Sequence, residues 1–321
     1  MKILKVGGGK DTVEVSKIVM GTTYIGTSIT DEASFRLLDE YYALGGRTID
    51  TARVYGQTED FGLSKSELLI GMWLAQRGLR KDITLITKGC HLSFKTGESR
   101  LSPEVITRDF HDSLECLGVG EVDIYFLHRD DKSKPVGPIM DALHEFVKAG
   151  KTRAIGASNW SLDRILAANG YARENGKTPF SVSQLQWSLA KCTAESWGDD
   201  SLEYMDDNLR KRYIEEKIPV MAYAAQAKGL FSKYIGNPLA EIPSRAKRFY
   251  SPENMKKIGA VKKICDETGY SPAAVIIAYI TSHPLDAAAV VGCSNILQLK
   301  DTMTGAGLEL TLKTIKELEE V

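Results

Sequence analysis

The chain has 321 residues, with 41 Lys or Arg against 42 Asp or Glu and a formal net charge of −1. Because the two signs balance and no long run of either occurs, the composition argues against nucleic acid or a membrane surface as a partner. No window approaches the roughly 20 apolar residues of a membrane-spanning helix, and residues 1–10 are basic and glycine-rich, which predicts a cytosolic protein.

Short apolar runs of β-forming residues alternate with longer helical periodicities along the chain, which is typical of repeated βα units and of a parallel sheet. Eight strands are predicted at 18–20, 48–49, 83–86, 124–127, 154–157, 182–185, 220–222 and 289–291. Eight helices are predicted near 31–44, 65–76, 103–117, 138–149, 162–174, 201–216, 272–282 and 296–304. Caps at Thr30, Ser102 and Ser271 support three of the helix starts.

Eight alternating pairs without a Pro-, Gly- or Ser-rich linker fit an α/β protein with a closed (β/α)8 TIM barrel better than an open doubly wound sheet. We therefore predict a single domain over 1–321. The opening stretch, in which residues 6–10 are flanked by alternating residues, is predicted to form a β-hairpin that plugs the bottom of the barrel. Residues 309–321 are predicted to form a short, charged C-terminal helix outside it.

Two connections are long, one over 90–101 and one from 224 to about 253. In a barrel such βα loops lie at the C-terminal face, where active sites are built, although each alone is also explained as a solvated surface loop. The second connection contains two prolines and a basic cluster, namely Pro238, Pro243, Arg245, Lys247 and Arg248.

Cysteine and histidine spacing gives no sign of a metal site. The five cysteines are scattered without a Cys-x-x-Cys pair, which favours reduced, mostly packed thiols over a disulfide framework or zinc. The five histidines show no paired helical spacing of the His-Glu-x-x-His type. These residues are Cys90, Cys116, Cys192, Cys265, Cys293, His91, His111, His128, His144 and His283.

Ionisable residues end three consecutive predicted strands. Asp50 ends the second, Lys88 the third and His128 the fourth, and Tyr55 follows Asp50 in the next turn. Because strand ends in a barrel converge on one small volume, we expect the four side chains to face one another.

Singly, each of the four is better explained as a cap, a packing residue, a solvated strand end or a core histidine. Jointly, a buried lysine and aspartate are costly unless paired. A charged pair beside a phenol prepares Tyr55 to donate a proton to a carbonyl oxygen as hydride arrives at carbon. His128 would orient the carbonyl and share its developing charge.

Seven short motifs stand in order at the predicted strand ends. They are Gly21-Thr22, 49–56 (Ile-Asp-Thr-Ala-Arg-Val-Tyr-Gly), 86–88 (Ile-Thr-Lys), 127–130 (Leu-His-Arg-Asp), 156–159 (Gly-Ala-Ser-Asn), 184–187 (Gln-Leu-Gln-Trp) and 291–294 (Val-Gly-Cys-Ser). Together they resemble the aldo-keto reductase family over nearly the whole chain.

The resemblance implies a reversible, metal-free hydride transfer between a nicotinamide nucleotide and an aldehyde, ketone or alcohol. It makes Tyr55 the acid, with Lys88 and Asp50 tuning it and His128 orienting the substrate. Two alternatives stay open: a cofactor-binding regulatory subunit with little turnover, and, ranked last, a barrel enzyme that works through a metal or a phosphate-bearing substrate. Oligomeric state is not predicted.

Short polar residues at strand ends suit a planar carboxamide, which needs both donors and acceptors. By resemblance, Ser158, Asn159 and Gln184 hold the nicotinamide carboxamide and Tyr223 stacks on the ring, although rim packing explains Tyr223 equally well. Gly292 to Ser294, before a helix at Ile296, offer a helix N-terminus to the phosphates. The resemblance also places Gly21, Thr22 and Asp50 around the cofactor.

The segment with Gln226, Lys228, Gly229 and Leu230 resembles the part of the family that covers the pyrophosphate, but Ala224-Ala225 replaces its usual Ser-Pro. Gly7-Gly8-Gly9 lacks the strand-to-helix context of a phosphate loop.

The choice between the two nicotinamide cofactors rests on the last βα segment, where many NADP-preferring members carry a basic residue. This chain has Asn295 and Gln298 there, with Lys300 the nearest cation. NADP(H) is favoured because Ser294, Asn295 and Gln298 can still hydrogen-bond a phosphate, and NAD(H) stays open.

Aromatic and cationic residues are predicted at the rim, which suits a polar carbonyl compound, sugar-derived for example. Alternatively the tryptophans pack against neighbouring loops and Arg129 pairs locally with Asp130 or Asp131. One clear helix and a charged tail follow the last strand, which predicts an open site. The rim residues are Tyr24, Arg53, Arg129, Trp160, Trp187 and Trp197.

Overall fold

The structure is a computed structural model that describes residues 1–7, 12–57, 62–236 and 244–321. Its strands are β1 Ile3–Val6, β2 Val13–Ser16, β3 Ile18–Gly21, β4 Thr48–Asp50, β5 Thr84–Gly89, β6 Val122–Leu127, β7 Thr152–Ser158, β8 Val182–Gln186, β9 Val220–Tyr223 and β10 Ala287–Val291. Its α-helices are α1 Asp31–Ala43, α2 Lys65–Arg77, α3 Pro103–Leu117, α4 Val136–Lys148, α5 Leu162–Glu174, α6 Ala194–Trp197, α7 Asp207–Glu216, α8 Leu230–Gly236, α9 Pro252–Thr268, α10 Pro272–Thr281, α11 Ile296–Thr304 and α12 Leu312–Glu320. Short 3-10 helices span Ala227–Gly229, Ser244–Phe249 and Gly305–Gly307.

Strands β3 to β10 are parallel and close into a barrel in the order β10-β3-β4-β5-β6-β7-β8-β9. Closure is made by β10, which pairs with β3 through Ala289 and Ile18 and with β9 through Ala287 and Val220. The predicted (β/α)8 TIM barrel is therefore confirmed, and each of the eight predicted strands corresponds to one barrel strand.

The N-terminal hairpin closes one end of the barrel. β1 and β2 pair antiparallel, with Ile3 opposite Ser16. Their buried faces pack inside the barrel against residues such as Ile86 and Phe126. The hairpin is confirmed, but residues 8–11, which include most of the predicted turn and two glycines of Gly7-Gly8-Gly9, lie outside the described residues. The packed faces consist of Leu4, Val6, Val13 and Val15.

Strand periodicity decides which residues face the site. Along β5, Ile86 points into the barrel interior, so Lys88, two residues later, lies on the same side at the C-terminal end. By the same alternation, His128 follows Phe126 of β6 by two residues on the inward side, and Tyr223 follows Met221 of β9 in the same way. The inward layer at the C-terminal end is therefore polar, whereas the layers below it are apolar.

Several helix starts follow the predicted capping chemistry, because the side chains of Thr30, Ser102 and Ser271 accept hydrogen bonds from backbone N–H groups of α1, α3 and α10. The C-terminal helix α12 is also present and buries Ile315 and Leu318.

Three features differ from the sequence-based expectation. The helix predicted at 201–216 begins only at Asp207, where Asp206 caps α7. The long connection after β9 contains α8, and α9 was not predicted at all. The buried face of α9 includes Asn254 and Lys257, so its apolar period is weak in the sequence. Pro238 and Pro243 of this connection lie outside the described residues.

Within the described part of the chain, no helix is both long enough and apolar enough to cross a membrane.

Candidate active site

A buried ion pair forms the base of the site at the C-terminal end of the barrel. Lys88 Nζ lies 2.7 Å from Asp50 Oδ2 and donates to Thr51 O at 2.8 Å. The side chains of Lys88 and Asp50 are 0% and 2% exposed. Burial acts to lower the pKa of Lys88, but Asp50 and Tyr55 outweigh it and raise that pKa. Lys88 is therefore held as a cation.

Tyr55 stands over this pair on the turn that follows β4. Lys88 Nζ lies 5.1 Å from the centroid of the Tyr55 ring, and the Tyr55 and His128 rings meet edge to face with centroids 5.9 Å apart. The turn is held because Tyr55 O accepts hydrogen bonds from Ser64 Oγ and Ser66 N at the start of α2. The structure thus brings the four predicted side chains together.

His128 follows β6 and is neutral. Its ring meets that of His91 edge to face at 4.8 Å between centroids. Burial, helped by His91, Arg129 and Lys88, holds the pKa of His128 well below its usual range. Its Nδ1 is buried and has no hydrogen-bond partner among the described residues. A neutral imidazole can orient a carbonyl group without competing as its proton donor.

His91 was not singled out as a site residue. Burial and Arg129 lower its pKa to about 4. The only sequence signal was its place three residues after Lys88 in a long βα connection.

The predicted carboxamide residues lie beside the ion pair. Gln184 Nε2 donates to Asp50 Oδ1 at 3.1 Å. Asn159 has a left-handed backbone with φ of 59°, which asparagine tolerates better than most residues. Its Nδ2 donates to His128 O and to Ser158 Oγ, and its Oδ1 accepts from the Tyr223 hydroxyl at 2.8 Å.

Glycine at position 21 is needed for packing, because a Cβ there would lie 2.9 Å from Val290 Cγ1 and 3.1 Å from Val291 O. Thr22 Oγ1 next to it donates to Asp50 O at 3.1 Å. These contacts join β3, β4 and β10 below the site.

The end of β10 and the start of α11 form one side of the rim. A Cβ on Gly292 would lie 3.0 Å from the Tyr24 ring, so the chain passes close to that ring. Gln298 Oε1 accepts from Ser294 N and Oγ at 3.0 and 2.9 Å, and Asn295 caps α11.

The segment after β9 crosses the same rim. Gly229 has a φ of 85°, which favours glycine, and Gln226 Nε2 donates to Thr302 Oγ1 at 3.0 Å.

Three cations gather on this segment. Arg248 Cζ lies 4.2 Å and Lys228 Nζ 5.9 Å from the Trp197 ring centroid, and Arg245 Nη1 donates to the Tyr24 hydroxyl at 3.3 Å. Burial, with Arg248 and Arg245, lowers the pKa of Lys228. Among the described residues none of the three cations forms an ion pair with a carboxylate.

Three predicted rim residues are instead buried and contact other side chains of the protein. Arg53 is 4% exposed and its Nη2 pairs with Asp112 Oδ2 at 3.1 Å. Trp160 packs edge to face on Phe180, and Trp187 packs on Tyr279 and His283. Both tryptophans are buried, as the alternative interpretation of them expected.

The fold defines a (β/α)8 barrel protein with a buried cluster of titratable groups at its C-terminal face. The family model for the Aldo/keto reductase family matches residues 17–321. The chain belongs to the aldo/keto reductase family and is an oxidoreductase.

Relatives of known name are similar to the chain over most of its length. A norsolorinic acid reductase of Emericella nidulans is 28% identical over 96% of this chain and 78% of its own length. An aldo-keto reductase of Schizosaccharomyces pombe, whose name carries NADP(+), is 27% identical over 97% of this chain and 89% of its own. A solved thermostable aldo-keto reductase, in complex with the inhibitor epalrestat, has a TM-score of 0.75 and 20% identity, covers 100% of this chain and 99% of its own, and shares the fold.

Proposed function

We propose that this protein reversibly reduces aldehydes or ketones to alcohols with a nicotinamide cofactor, and that Tyr55 is the general acid. The observation that carries the proposal is the buried Lys88–Asp50 ion pair under the Tyr55 ring. A fully buried ion pair is a weak source of stability, so its position beneath a phenol points to a chemical use.

When bound, the nicotinamide supplies a hydride to the carbonyl carbon. Tyr55 donates its hydroxyl proton to the carbonyl oxygen, which completes the alcohol. The Lys88 ammonium stabilises the phenolate that remains, and Asp50 fixes Lys88 in that place. Neutral His128 donates a hydrogen bond that orients the carbonyl.

The donors and acceptors present fit the nicotinamide end of the cofactor. Ser158, Asn159 and Gln184 offer hydroxyl and amide groups at the ends of neighbouring strands, and these would hold the carboxamide. Tyr223 is fixed by its bond to Asn159 and would stack on the ring. Gly21 and Thr22 support this layer from below.

The three cations of the segment after β9 fit the phosphate end of the cofactor. Lys228, Arg245 and Arg248 would neutralise the pyrophosphate or a 2′-phosphate, assisted by Gln226 and Gly229 on the same segment and by Gly292, Ser294 and Gln298 opposite it. NADP(H) is favoured over NAD(H) because three cations exceed what one pyrophosphate requires, and the name of one relative carries NADP(+).

The test is cofactor oxidation by purified protein with NADPH or NADH and a panel of aldehydes, ketones and sugars. We expect Tyr55→Phe to lower kcat by about 100-fold or more, with cofactor affinity retained. The control is Tyr42→Phe, which removes a hydroxyl bonded to Asp82 on the outside of the barrel. Tight cofactor binding with no turnover on any carbonyl would overturn the proposal and favour a regulatory subunit.

A further inference from the structure

Arg129, the residue after His128, has a guanidinium that pairs with no carboxylate among the described residues. Its Nη1 donates to His128 O at 3.0 Å, and its Nε is buried with no partner among the described residues. The two neighbouring carboxylates are used elsewhere, because Asp130 pairs with Arg164 at 3.2 Å and Asp131 Oδ1 accepts from Ser133. The local ion pair that the sequence allowed for Arg129 is therefore absent from the described residues.

This arrangement differs from that of other largely buried arginines in the protein. Each of four others forms an ion pair with a carboxylate at 3.2 Å or less, as expected for a charge that has lost much of its water. The four are Arg53, Arg100, Arg164 and Arg210.

Arg129 directly follows His128 and lies within electrostatic reach of Tyr55, the proposed proton donor. Burial lowers the pKa of Arg129, whereas Tyr223, Asp199 and Tyr55 act to raise it. The guanidinium therefore lies close enough to these three side chains to interact with them electrostatically. Asp199 does not pair with it, since Asp199 Oδ1 accepts from Ser201 N and Oγ at 3.0 and 2.6 Å. A guanidinium remains charged in such surroundings.

The side of the site next to His128 is therefore positive. His91 and His128 are both neutral at physiological pH, because their pKa values are lowered to about 4 and to well below the usual range. The two imidazoles therefore add no charge beside the Arg129 cation, and a bound anion would replace part of the solvation that burial removes from the guanidinium.

We propose that Arg129 binds a carboxylate carried by the substrate, so that the preferred substrates are aldehydes or ketones with a carboxylate group. The inference rests on the proposed function and names its substrate class. The planar guanidinium matches a carboxylate with two parallel hydrogen bonds, and its anchorage on His128 O fixes the substrate relative to the carbonyl-orienting imidazole.

The experiment compares 4-carboxybenzaldehyde with its methyl ester, and succinic semialdehyde with butanal, at saturating cofactor. We expect wild type to prefer each acid in kcat/KM, and Arg129→Met to lower the acid-to-neutral ratio by about tenfold or more. Arg129→Lys should retain part of the preference. Lys132→Met, which removes an exposed charge from the same segment, is the control and should leave the ratio within about twofold.

A second readout separates this inference from the proposed function. Isothermal titration of 4-(hydroxymethyl)benzoate and of its amide into the protein–NADPH complex reports binding even if no carbonyl is reduced. Weaker binding of the benzoate, but not of the amide, to Arg129→Met supports the inference. An unchanged ratio in both assays, or a loss of NADPH affinity with no change in acid preference, would overturn it.

Discussion

Gln184 and Asp50 are joined by a hydrogen bond of 3.1 Å between Nε2 and Oδ1. Their strands, β8 and β4, lie on opposite sides of the barrel, so the bond crosses its interior. The other carboxylate oxygen of Asp50 pairs with Lys88. One carboxylate thus connects the proposed proton-delivery residues to the proposed carboxamide-binding residues, and changes to it should affect both stability and activity.

Removing one member of the Lys88–Asp50 pair should destabilise the fold strongly. We expect Lys88→Met or Asp50→Leu to lower the free energy of unfolding by about 3–5 kcal/mol, because each leaves a buried charge unpaired. The double variant should lose less than the sum of the single losses. Urea denaturation of the four proteins measures the coupling. As a control, Asp266→Asn breaks an exposed pair with Lys262 and should cost about 0.5 kcal/mol or less. Additive losses at the buried pair would contradict this prediction.

The cations around Trp197 should set cofactor affinity. Arg248→Met is expected to weaken NADPH binding by about tenfold, because a charge-assisted contact to phosphate is lost, and to reduce its salt dependence. Quenching of tryptophan fluorescence measures the affinity. Lys247→Met removes an exposed charge from the same 3-10 helix and serves as the control. Equal effects of the two variants would argue against a specific phosphate contact.

Glu67 should give stability an unusual pH dependence. Burial raises the pKa of this fully buried carboxyl to about 7, and the hydrogen bond that Thr87 Oγ1 donates to Glu67 Oε1 offsets the effect only in part. Between the unfolded value of 4.5 and 7 the folded state therefore binds more protons than the unfolded state, so this contribution to stability falls as pH rises through that window.

Glu67→Gln lacks this titration. Relative to wild type, its free energy of unfolding should rise by about 2–3 kcal/mol between pH 5 and pH 8, because wild type loses that stability and the variant does not. Urea denaturation at both pH values tests this, with the exposed Glu115→Gln as the control. A difference that stays constant with pH would show that Glu67 does not titrate in this range.

Alanine substitution at two helix glycines, Gly71 and Gly259, should change the stability of the fold in opposite directions. A Cβ on Gly71 in α2 would lie 2.3 Å from Leu117 O, an atom of the backbone, whereas a Cβ on Gly259 in α9 would meet nothing within 4 Å. We expect Gly71→Ala to lower the free energy of unfolding by about 1–3 kcal/mol and Gly259→Ala to raise it by about 0.5–1 kcal/mol. Thermal melts of both variants check the signs. Stabilisation by Gly71→Ala would show that α2 and α3 are further apart than described.

Much of the fold was predictable because its signals are local. β-forming runs and capping residues such as Ser102 and Ser271 depend on neighbouring residues only, and they placed eight strands and most helix starts correctly. Helix α9 was not predicted because its buried face carries the polar residues Asn254 and Lys257. Their side chains donate hydrogen bonds to Lys191 O and Leu189 O, which lie far away in the sequence.

The sequence by itself determined the alternation of strands and helices and the order of the motifs, and hence that Asp50, Lys88 and His128 would meet at one end of a barrel. Only the tertiary structure decided which polar residues face that space. Arg53 pairs with Asp112 and is buried, whereas Arg129 donates to His128 O and pairs with no carboxylate in the part of the chain that the structure describes. Pairing between charges depends on contacts between residues far apart in the chain, such as Arg53 and Asp112, and such contacts leave no periodic trace in the sequence.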